Sequence, residues 1–319
     1  MIGNLVGLIV LIALAIGFAW LTRRAWRSKR GSIKWVGVVM AGLATLLLGL
    51  LSVFAAVGMV KAYTPRGNPA PDITVAGTAE QIARGEHLAY ALCAICHSLD
   101  DQLPLSGGRD VGKDSPVPIG ELIGANLTPG GRLKDWSDGE IFRAMREGID
   151  RDGRTLITMS ALSIRNLSDE DLQAVIAYLR SQPALQNETP PDNPNLLFAI
   201  FSGAGLVPEP KLITGAVVAP PLGATVDYGE YIVRYVGCRD CHGANLNGGG
   251  GGLTPVGPNL AMVRGWAQDQ FITTMRTGVD PGGHALDPRQ MPWESIGKLD
   301  DVELVALYET LRGLTPIQE

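Results

Sequence analysis

Two long stretches of this chain carry no charge, and both lie within its first sixty residues. Ile2 to Leu21 runs for twenty residues and Trp35 to Val60 for twenty-six without an acidic or basic side chain. At about 1.5 Å rise per residue, twenty helical residues cover the ~30 Å hydrocarbon core of a bilayer, so both runs predict transmembrane helices. The second is longer than a perpendicular crossing needs and is expected to tilt or to reach the headgroups. A cleavable signal peptide is the alternative for the first run. The run lacks the basic segment with which such peptides begin, and its A-x-A triplet, Ala13-Leu14-Ala15, lies inside the apolar run and not after it, so two retained helices are favoured. Between the runs lie Arg23, Arg24, Arg27, Lys29, Arg30 and Lys34 with no acidic residue. Short basic loops of this kind stay in the cytoplasm, which puts the N-terminus and everything after Val60 on the outer side. Trp20, Trp26, Trp35 and Tyr63 fall near helix ends, where amphipathic rings prefer the interface. Gly3-x-x-x-Gly7 offers a weak signal for close helix approach.

Beyond Val60 the apolar pattern is helical and shows no sustained strand alternation. Val175, Ile176 and Leu179 form one stripe, and Leu304, Val305, Leu307, Tyr308 and Leu311 a longer one. Thr78-x-x-Gln81, Ser137-x-x-Glu140, Asp300-x-x-Glu303 and Asp227-x-x-Glu230 read as helix starts. Gly313 and Pro316 stop the last helix. The fold class expected is all-α: two transmembrane helices followed by two small helical domains. Residues 1–62 form the anchor, 63–182 the first domain, 183–226 a proline-rich linker, and 227–319 the second domain. The linker carries eight prolines between Pro183 and Pro221, and within it Asn195 to Val207 is apolar but too short to span a bilayer. That run is expected to pack against a domain, a partner or the membrane surface. The glycine run from Gly248 to Gly252 has no Gly-Lys-Ser after it and reads as a surface loop, not a phosphate loop.

The two domains are copies. Trp136, Met145, Arg146, Gly148 and Asp150 align without gaps on Trp266, Met275, Arg276, Gly278 and Asp280, at an offset of 130. Each copy follows a C-x-x-C-H motif: Cys93-Ala-Ile-Cys96-His97 and Cys238-Arg-Asp-Cys241-His242. These motifs use all four cysteines of the chain and two of its four histidines. C-x-x-C-H is the attachment motif of c-type haem: two thiols add to the vinyl groups and the adjacent histidine ligates the iron. A redox dithiol has no need of a histidine behind it in both copies, and a zinc site needs further ligands that the chain scarcely has. Two covalently bound haems c are therefore expected, with His97 and His242 as iron ligands.

Both units resemble class I cytochrome c domains, and the chain as a whole resembles a membrane-anchored dihaem cytochrome c. The resemblance covers roughly 78–180 and 227–313. It rests on the C-x-x-C-H motif after a first helix, on Gly124-Ala-Asn-Leu127 and Gly257-Pro-Asn-Leu260, on Met159-Ser160 and Met291-Pro292, and on closing helices with Tyr178 and Tyr308. It implies that the late-loop methionines, Met159 and Met291, are the distal ligands. Serine follows Met159 where the family usually has proline. Met145 and Met275 compete for the role, but each lies within a helix four residues after an aromatic or aliphatic residue, which suits core packing. Met262 lies too near the Asn-Leu loop to cross to the far haem face. His87 and His284 read as surface or structural residues, with His284 the one credible histidine alternative. Trp136 and Trp266 border the haem in the family and serve equally well as core. The first unit is fifteen residues longer between Cys93 and Trp136, and Ser98 to Gly120 is a candidate partner-specific loop.

Charge narrows the function. Residues 1–60 hold six basic and no acidic side chains; the remaining 21 basic and 32 acidic residues leave −11 outside the membrane segment. That balance excludes a nucleic-acid surface and suits either a basic redox partner or simple solubility. A saturated iron in each unit points to an electron relay on the outer face of a bacterial membrane and not to an enzyme. The candidate donors and acceptors are a quinol-oxidising complex, a terminal oxidase, a photosynthetic reaction centre or a soluble carrier. The competing readings are a dihaem peroxidase or thiosulfate-oxidising enzyme, and the cytochrome subunit of a periplasmic dehydrogenase, which Arg146 to Arg154 resembles.

Overall fold

The computed structural model describes residues 2–65, 68–115, 117–207, 213–250 and 255–315. Pro208 and Pro210 of the linker, Gly251 and Gly252 of the glycine run, and Pro316 lie outside the described residues. In chain order the helices are α1 (Ile2–Trp26), α2 (Gly31–Tyr63), α3 (Ala79–Leu92), α4 (Ala94–His97), α5 (Asp138–Glu147), α6 (Ile157–Ala161) and α7 (Asp169–Ser181). They continue as α8 (Leu196–Gly203), α9 (Val226–Val236), α10 (Cys238–His242), α11 (Gln268–Thr277), α12 (Trp293–Ile296) and α13 (Asp301–Arg312). Two-residue strands β1 (Gly120–Glu121) and β2 (Asn193–Pro194) pair antiparallel. The chain divides into two compact units.

The first unit comprises Met1–Thr64, Ser115–Leu122 and Asp192–Pro208. α1 and α2 are long and apolar enough to cross a membrane. Both overrun the uncharged stretches. The basic turn shrinks to the residues around Arg27 to Arg30, with Arg23 and Arg24 in the last turn of α1 and Lys34 in the first turn of α2. A helix closes its own backbone hydrogen bonds in lipid, and cations are favourable beside the carbonyl end of α1. The turn is clasped by rings: Trp26 and Trp35 meet edge to face at 5.9 Å, and Lys34 Nζ lies 4.4 Å from the Trp26 ring centre. The two helices approach closely at Gly37, where an added Cβ would lie 2.9 Å from that of Ala25. They do not use Gly3-x-x-x-Gly7 for this: Gly3 has no neighbour within 4 Å of an added Cβ, and Gly7 faces the side chain of Leu196. The proline-rich segment is not a free spacer. Its stretch Asp192–Pro208 is built into this unit, with β2 on β1, Asn195 N donating to Ile119 O at 2.9 Å, and α8 packed on the hairpin. The long loop from Ser98 therefore has its end, at Pro118 to Glu121, taken up inside the chain.

The second unit, Pro65–Asp114, Ile123–Pro191 and Glu209–Glu319, contains both C-x-x-C-H segments. It is built from two equivalent halves. In each, a leading helix (α3 or α9) runs into the motif turn (α4 or α10), and a closing helix (α7 or α13) packs across the leading one. The crossings are glycine contacts. A Cβ at Gly85 would fall 1.9 Å from Ala174 O, and one at Gly229 would fall 2.1 Å from Ala306 O. Leu88, Ile141, Leu172 and Ile176 fill one half; Ile232, Phe271, Leu304 and Leu307 fill the other. Thr78 and Ser137 cap α3 and α5 in capping boxes with Gln81 and Glu140. Thr225, not Asp227, caps α9, because the helix already begins at Val226 and the Thr225 hydroxyl accepts from Tyr228 N at 3.3 Å. The start of the linker is held to the first half: Asn126 Nδ2 donates to Leu185 O and Asn187 O.

The halves dock reciprocally. Arg84 and Tyr228 are equivalent residues, each preceding the crossing glycine, and they touch: Arg84 Nη2 donates to Tyr228 OH at 2.9 Å. Asp171 and Glu303 are equivalent in the closing helices. Arg84 binds both, at 2.8 Å to Asp171 Oδ1 and 2.9 Å to Glu303 Oε1. His87 and Tyr231 are equivalent too. His87 Nε2 reaches Glu303 Oε2 of the opposite half at 2.6 Å, and Tyr231 OH donates to Asp171 Oδ2 of the opposite half at 2.7 Å. The short bond from Glu303 raises His87 above its ordinary pKa against the opposing effect of burial. Burial alone would raise Glu303, but the hydrogen bonds from His87 and Arg84 prevail and bring it down to about 2.

Replacing Arg84 by alanine leaves Glu303, 1 % exposed, without its cation. The expected loss is about 3 kcal/mol of stability, read as an earlier denaturant midpoint, and Arg84→Lys should recover only part of it because lysine cannot fork across two carboxylates. The Glu303 contribution is complete above the usual carboxylate pKa of about 4.3 and is lost as pH falls toward about 2. The His87 contribution is complete below about 6.5 and is lost as pH rises through its raised value. Melting temperatures should therefore decline on both sides of that window, and His87→Gln should flatten the alkaline limb.

Candidate haem attachment sites

The thiols of each motif stand on one tight turn at the end of a leading helix. His97 N and Cys96 N both donate back to Cys93 O, at 2.9 and 3.1 Å. In the second copy Gly237, with φ of 84°, ends α9 in the left-handed region, and the turn α10 follows directly. Removal from water pushes the Cys93 and Cys238 thiols up to about 12 and Cys96 to about 11, and raises Cys241 as well. Redox-active C-x-x-C pairs shift the other way, toward the thiolate. Burial thus disfavours the thiolate at all four, and no disulfide joins them.

The two histidines are held identically. His97 Nδ1 donates to Ala125 O at 2.8 Å, and His242 Nδ1 donates to Pro258 O at 2.8 Å. A carbonyl can only accept, so the proton sits on Nδ1 and Nε2 keeps its lone pair for a metal. Ala125 and Pro258 occupy the second position of Gly124-Ala-Asn-Leu127 and Gly257-Pro-Asn-Leu260. Each loop is fixed by the same ladder: Leu127 N to Leu105 O at 2.9 Å, and Leu260 N to Leu246 O at 2.8 Å. The glycines that open these loops allow them to lie on the motif. A Cβ at Gly124 would fall 1.8 Å from Cys96 O, and one at Gly257 would fall 2.5 Å from His242 Nδ1. Loss of water around the ring lowers the His97 pKa, which keeps the imidazole neutral, as a ligand must be.

The methionine segments are also duplicated. α5 and α11 end at Gly148 and Gly278, with φ of 67° and 69°. Leu156 N then returns to Gly148 O and Leu286 N to Gly278 O, both at 2.7 Å. Inside each return loop one carboxylate gathers two backbone amides: Asp150 Oδ1 from Asp152 N and Arg154 N, and Asp280 Oδ1 from Gly282 N and His284 N. The chain just after each methionine packs on the left-handed glycine. A Cβ at Gly148 would fall 2.4 Å from Ser160 Cα, and one at Gly278 would fall 2.2 Å from the Trp293 ring. Met159, in α6, and Met291, just before Pro292, are half-buried against the core. Met145 and Met275 are 5 % and 6 % exposed within α5 and α11. His284 lies on the exposed return loop with Nδ1 3.1 Å from Asp280, and His87 belongs to the junction between the halves. Trp136 is buried, and the Trp266 carbonyl accepts from Tyr308 OH at 2.9 Å. Two thiols on one turn beside an imidazole whose Nε2 accepts no hydrogen bond among the described residues is the donor set that haem c requires, and it occurs twice.

Sequence reasoning named the thiols and histidines but not the carbonyls of Ala125 and Pro258, which hold the rings. The repeated Gly-x-Asn-Leu loop was the available signal, since a glycine kept at the same place in two copies marks a close backbone approach.

Residues 80–179 match the family described as cytochrome c oxidase, cbb3-type, subunit III. The chain is 33 % identical over 263 residues to a nicotinate dehydrogenase subunit of Pseudomonas putida, a match covering 75 % of this chain and 20 % of that protein. It is 26 % identical over 227 residues to the cytochrome c subunit of a quinone alcohol dehydrogenase of Gluconobacter oxydans, covering 62 % of this chain and 47 % of the relative. It is 32 % identical over 108 residues to a diheme cytochrome c-type protein of Cereibacter sphaeroides, covering 32 % of this chain and 36 % of the relative. The chain thus spans about half or less of the length of these relatives. Haem attachment motifs in a helical frame, together with this family match over 80–179 and these relatives, support a c-type cytochrome with covalently bound haem c.

Proposed function

We propose that the chain is the electron-relay subunit of a membrane-associated dehydrogenase. It would hold one haem at Cys93, Cys96 and His97 with Met159 as distal ligand, and a second at Cys238, Cys241 and His242 with Met291. The observation that carries this reading is the identical tether of both imidazoles, Nδ1 to a loop carbonyl at 2.8 Å, with no hydrogen bond to Nε2 among the described residues. Haem c, when bound, supplies a one-electron iron couple whose potential is raised by His/Met ligation. The chain's own part would be to orient each imidazole through its Nδ1 bond, to offer a thioether from the segments that follow the Gly148 and Gly278 loops, and to join the halves through Arg84. The halves correspond to cytochrome c domains at 63–182 and 227–319. The relatives named as subunits of nicotinate and alcohol dehydrogenases support a dehydrogenase as the electron donor. A quinone pool, an oxidase or a soluble carrier is the corresponding class of acceptor. The two apolar helices and the basic turn between them support a two-pass anchor in a bacterial cytoplasmic membrane with both haem domains on the periplasmic side.

The intact mass should carry two haems, and the oxidised protein should show a near-infrared methionine-to-iron band that accounts for both. Met291→Ala should open one of the two sites to an added ligand such as cyanide. Retention of two fully saturated sites in that variant removes the assignment of Met291.

Topology is tested with cysteines introduced at Ser28 and Thr64. An impermeant maleimide should label Thr64→Cys and not Ser28→Cys in intact cells; the reverse pattern means that the anchor is inverted.

Extraction in mild detergent should recover the chain with a substrate-oxidising dehydrogenase subunit, and reduction of its haems by that subunit's substrate should follow. If the partner presents a basic face to the −11 region, the reduction rate of the separated proteins should fall as salt rises, because screening cuts the reach of charge to about 8 Å at physiological ionic strength. Recovery of the chain with a terminal oxidase or a reaction centre, and no dehydrogenase, replaces the donor named here.

A further inference from the structure

We propose that α8 is embedded in the outer leaflet of the membrane, as a third, re-entrant membrane contact beside α1 and α2. The inference rests on the transmembrane reading of that hairpin.

The segment is Leu196-Leu-Phe-Ala-Ile-Phe-Ser-Gly203, eight residues with no charge, continued by Ala204, Gly205 and Leu206. At 1.5 Å per residue it is about 12 Å long, far short of a crossing. One of its faces is fused to the hairpin. A Cβ at Gly58 would fall 1.8 Å from Ala199 O, and one at Gly203 would fall 1.9 Å from Phe54 O, so the α2 and α8 backbones touch at both glycines. Phe198 and Ala199 are buried in this contact. Such small-residue approaches are how helices associate where no hydrophobic force separates protein from solvent.

The depth follows from the hairpin. Trp26 and Trp35 mark the end at the basic turn. About twenty residues of rise from Trp35 cross the ~30 Å core and bring α2 to about Ala55. The residues that meet α8, Phe54 to Lys61, therefore lie at the far edge of the core. On α1 the corresponding contacts are Asn4 and Gly7, near the end away from the turn. Polar bonds ring the same level: Asn4 Nδ2 donates to Pro194 O at 2.8 Å, Lys61 Nζ donates to Ser202 O at 3.3 Å, and Asn195 Oδ1 caps α8 from Phe198 N. α8 thus sits where acyl chains give way to headgroups.

Its remaining face is apolar and only partly covered. Leu197, Ile200 and Phe201 are half-exposed, and Leu206 is 57 % exposed. On the hairpin, Leu5 and Val6 of α1 and Val57 and Val60 of α2, next to the residues that meet α8, are exposed apolar side chains too. Lipid is the occupant that the continuity and depth select, and an uncharged helix with polar atoms only at its ends suits that boundary.

The test uses the full-length haem-loaded protein in phospholipid nanodiscs. Single cysteines at Leu206→Cys and Ile200→Cys carry a nitroxide, with Leu46→Cys as the mid-helix control and Val218→Cys as the water control. The existing cysteines are held as thioethers. Labels at 206 and 200 should collide with oxygen as lipid-exposed sites do, and with a water-soluble nickel chelate several-fold less than the label at 218. Nickel access at 206 and 200 equal to that at 218 places α8 in water and overturns the proposal. Shielding from both oxygen and nickel means that protein, a partner or a second copy, covers the face, and this also overturns it. If the label at 46 is itself open to nickel, the transmembrane reading has failed instead. Leu206 is exposed, so its variant leaves the packed face intact.

Discussion

An imidazole can be a reliable iron ligand only if its second nitrogen is occupied and its ring cannot turn. In this chain one main-chain carbonyl does both jobs at each site, from Ala125 for His97 and from Pro258 for His242. Much of each half is arranged around that bond. The carbonyl is in place because its loop is laddered to Leu105 or Leu246, and because Gly124 and Gly257 allow the loop to lie on the motif. The motif in turn is fixed by a leading helix that a closing helix crosses at Gly85 or Gly229. A side chain at Gly85, Gly124 or Gly229 would displace backbone, and one at Gly257 would strike the His242 ring itself.

The duplication explains the junction between the halves. Because the copies meet through equivalent helices, each contact occurs twice with the roles exchanged: His87 crosses to Glu303, and Tyr231 crosses to Asp171. Charge breaks the symmetry. Where the first copy has Arg84 the second has Tyr228, so one guanidinium lies beside two carboxylates instead of two cations facing each other. Glu303 is almost fully removed from water, and an isolated carboxylate there would be costly without both Arg84 and His87. His87, Asp300 and Glu303 have metal-type donors within 4.8 Å of one another, but Arg84 already supplies the positive charge at Glu303.

What could be read in the sequence was what depends on local pattern. The uncharged runs, the capping boxes at Thr78 and Ser137, the closing helices and the repeat at an offset of 130 all reappear as elements. The repeat reappears at fine scale, since Asp150 and Asp280 gather amides in matching loops. What could not be read depends on contacts far apart in the chain. Prolines between 183 and 221 signal an extended segment, yet they do not say that Leu185 and Asn187 are bound by Asn126 or that α8 docks on α2. Gly3-x-x-x-Gly7 had the spacing for helix pairing, but the close approach between α1 and α2 is at Gly37, because packing geometry and not spacing selects which glycine is used.

On the proposed reading, a relay with two haem sites would gain direction only if the sites differed, and the two motifs do differ around a common tether. The two residues between the cysteines are Ala94 and Ile95 in the first motif and Arg239 and Asp240 in the second. Arg239 pairs with Glu230 at 2.8 Å, and Asp240 accepts from Ser163 of the other half at 2.8 Å. The first motif instead lies near Arg109, which pairs with Asp101 at 2.7 Å, and its loop is fifteen residues longer. Local charge, hydrogen bonding and exposure are the levers by which a protein sets the potential of a haem. The duplication therefore supplies two imidazoles held alike, and the divergence lies in the charges around them, which would separate the potentials of two haems without loosening either ring.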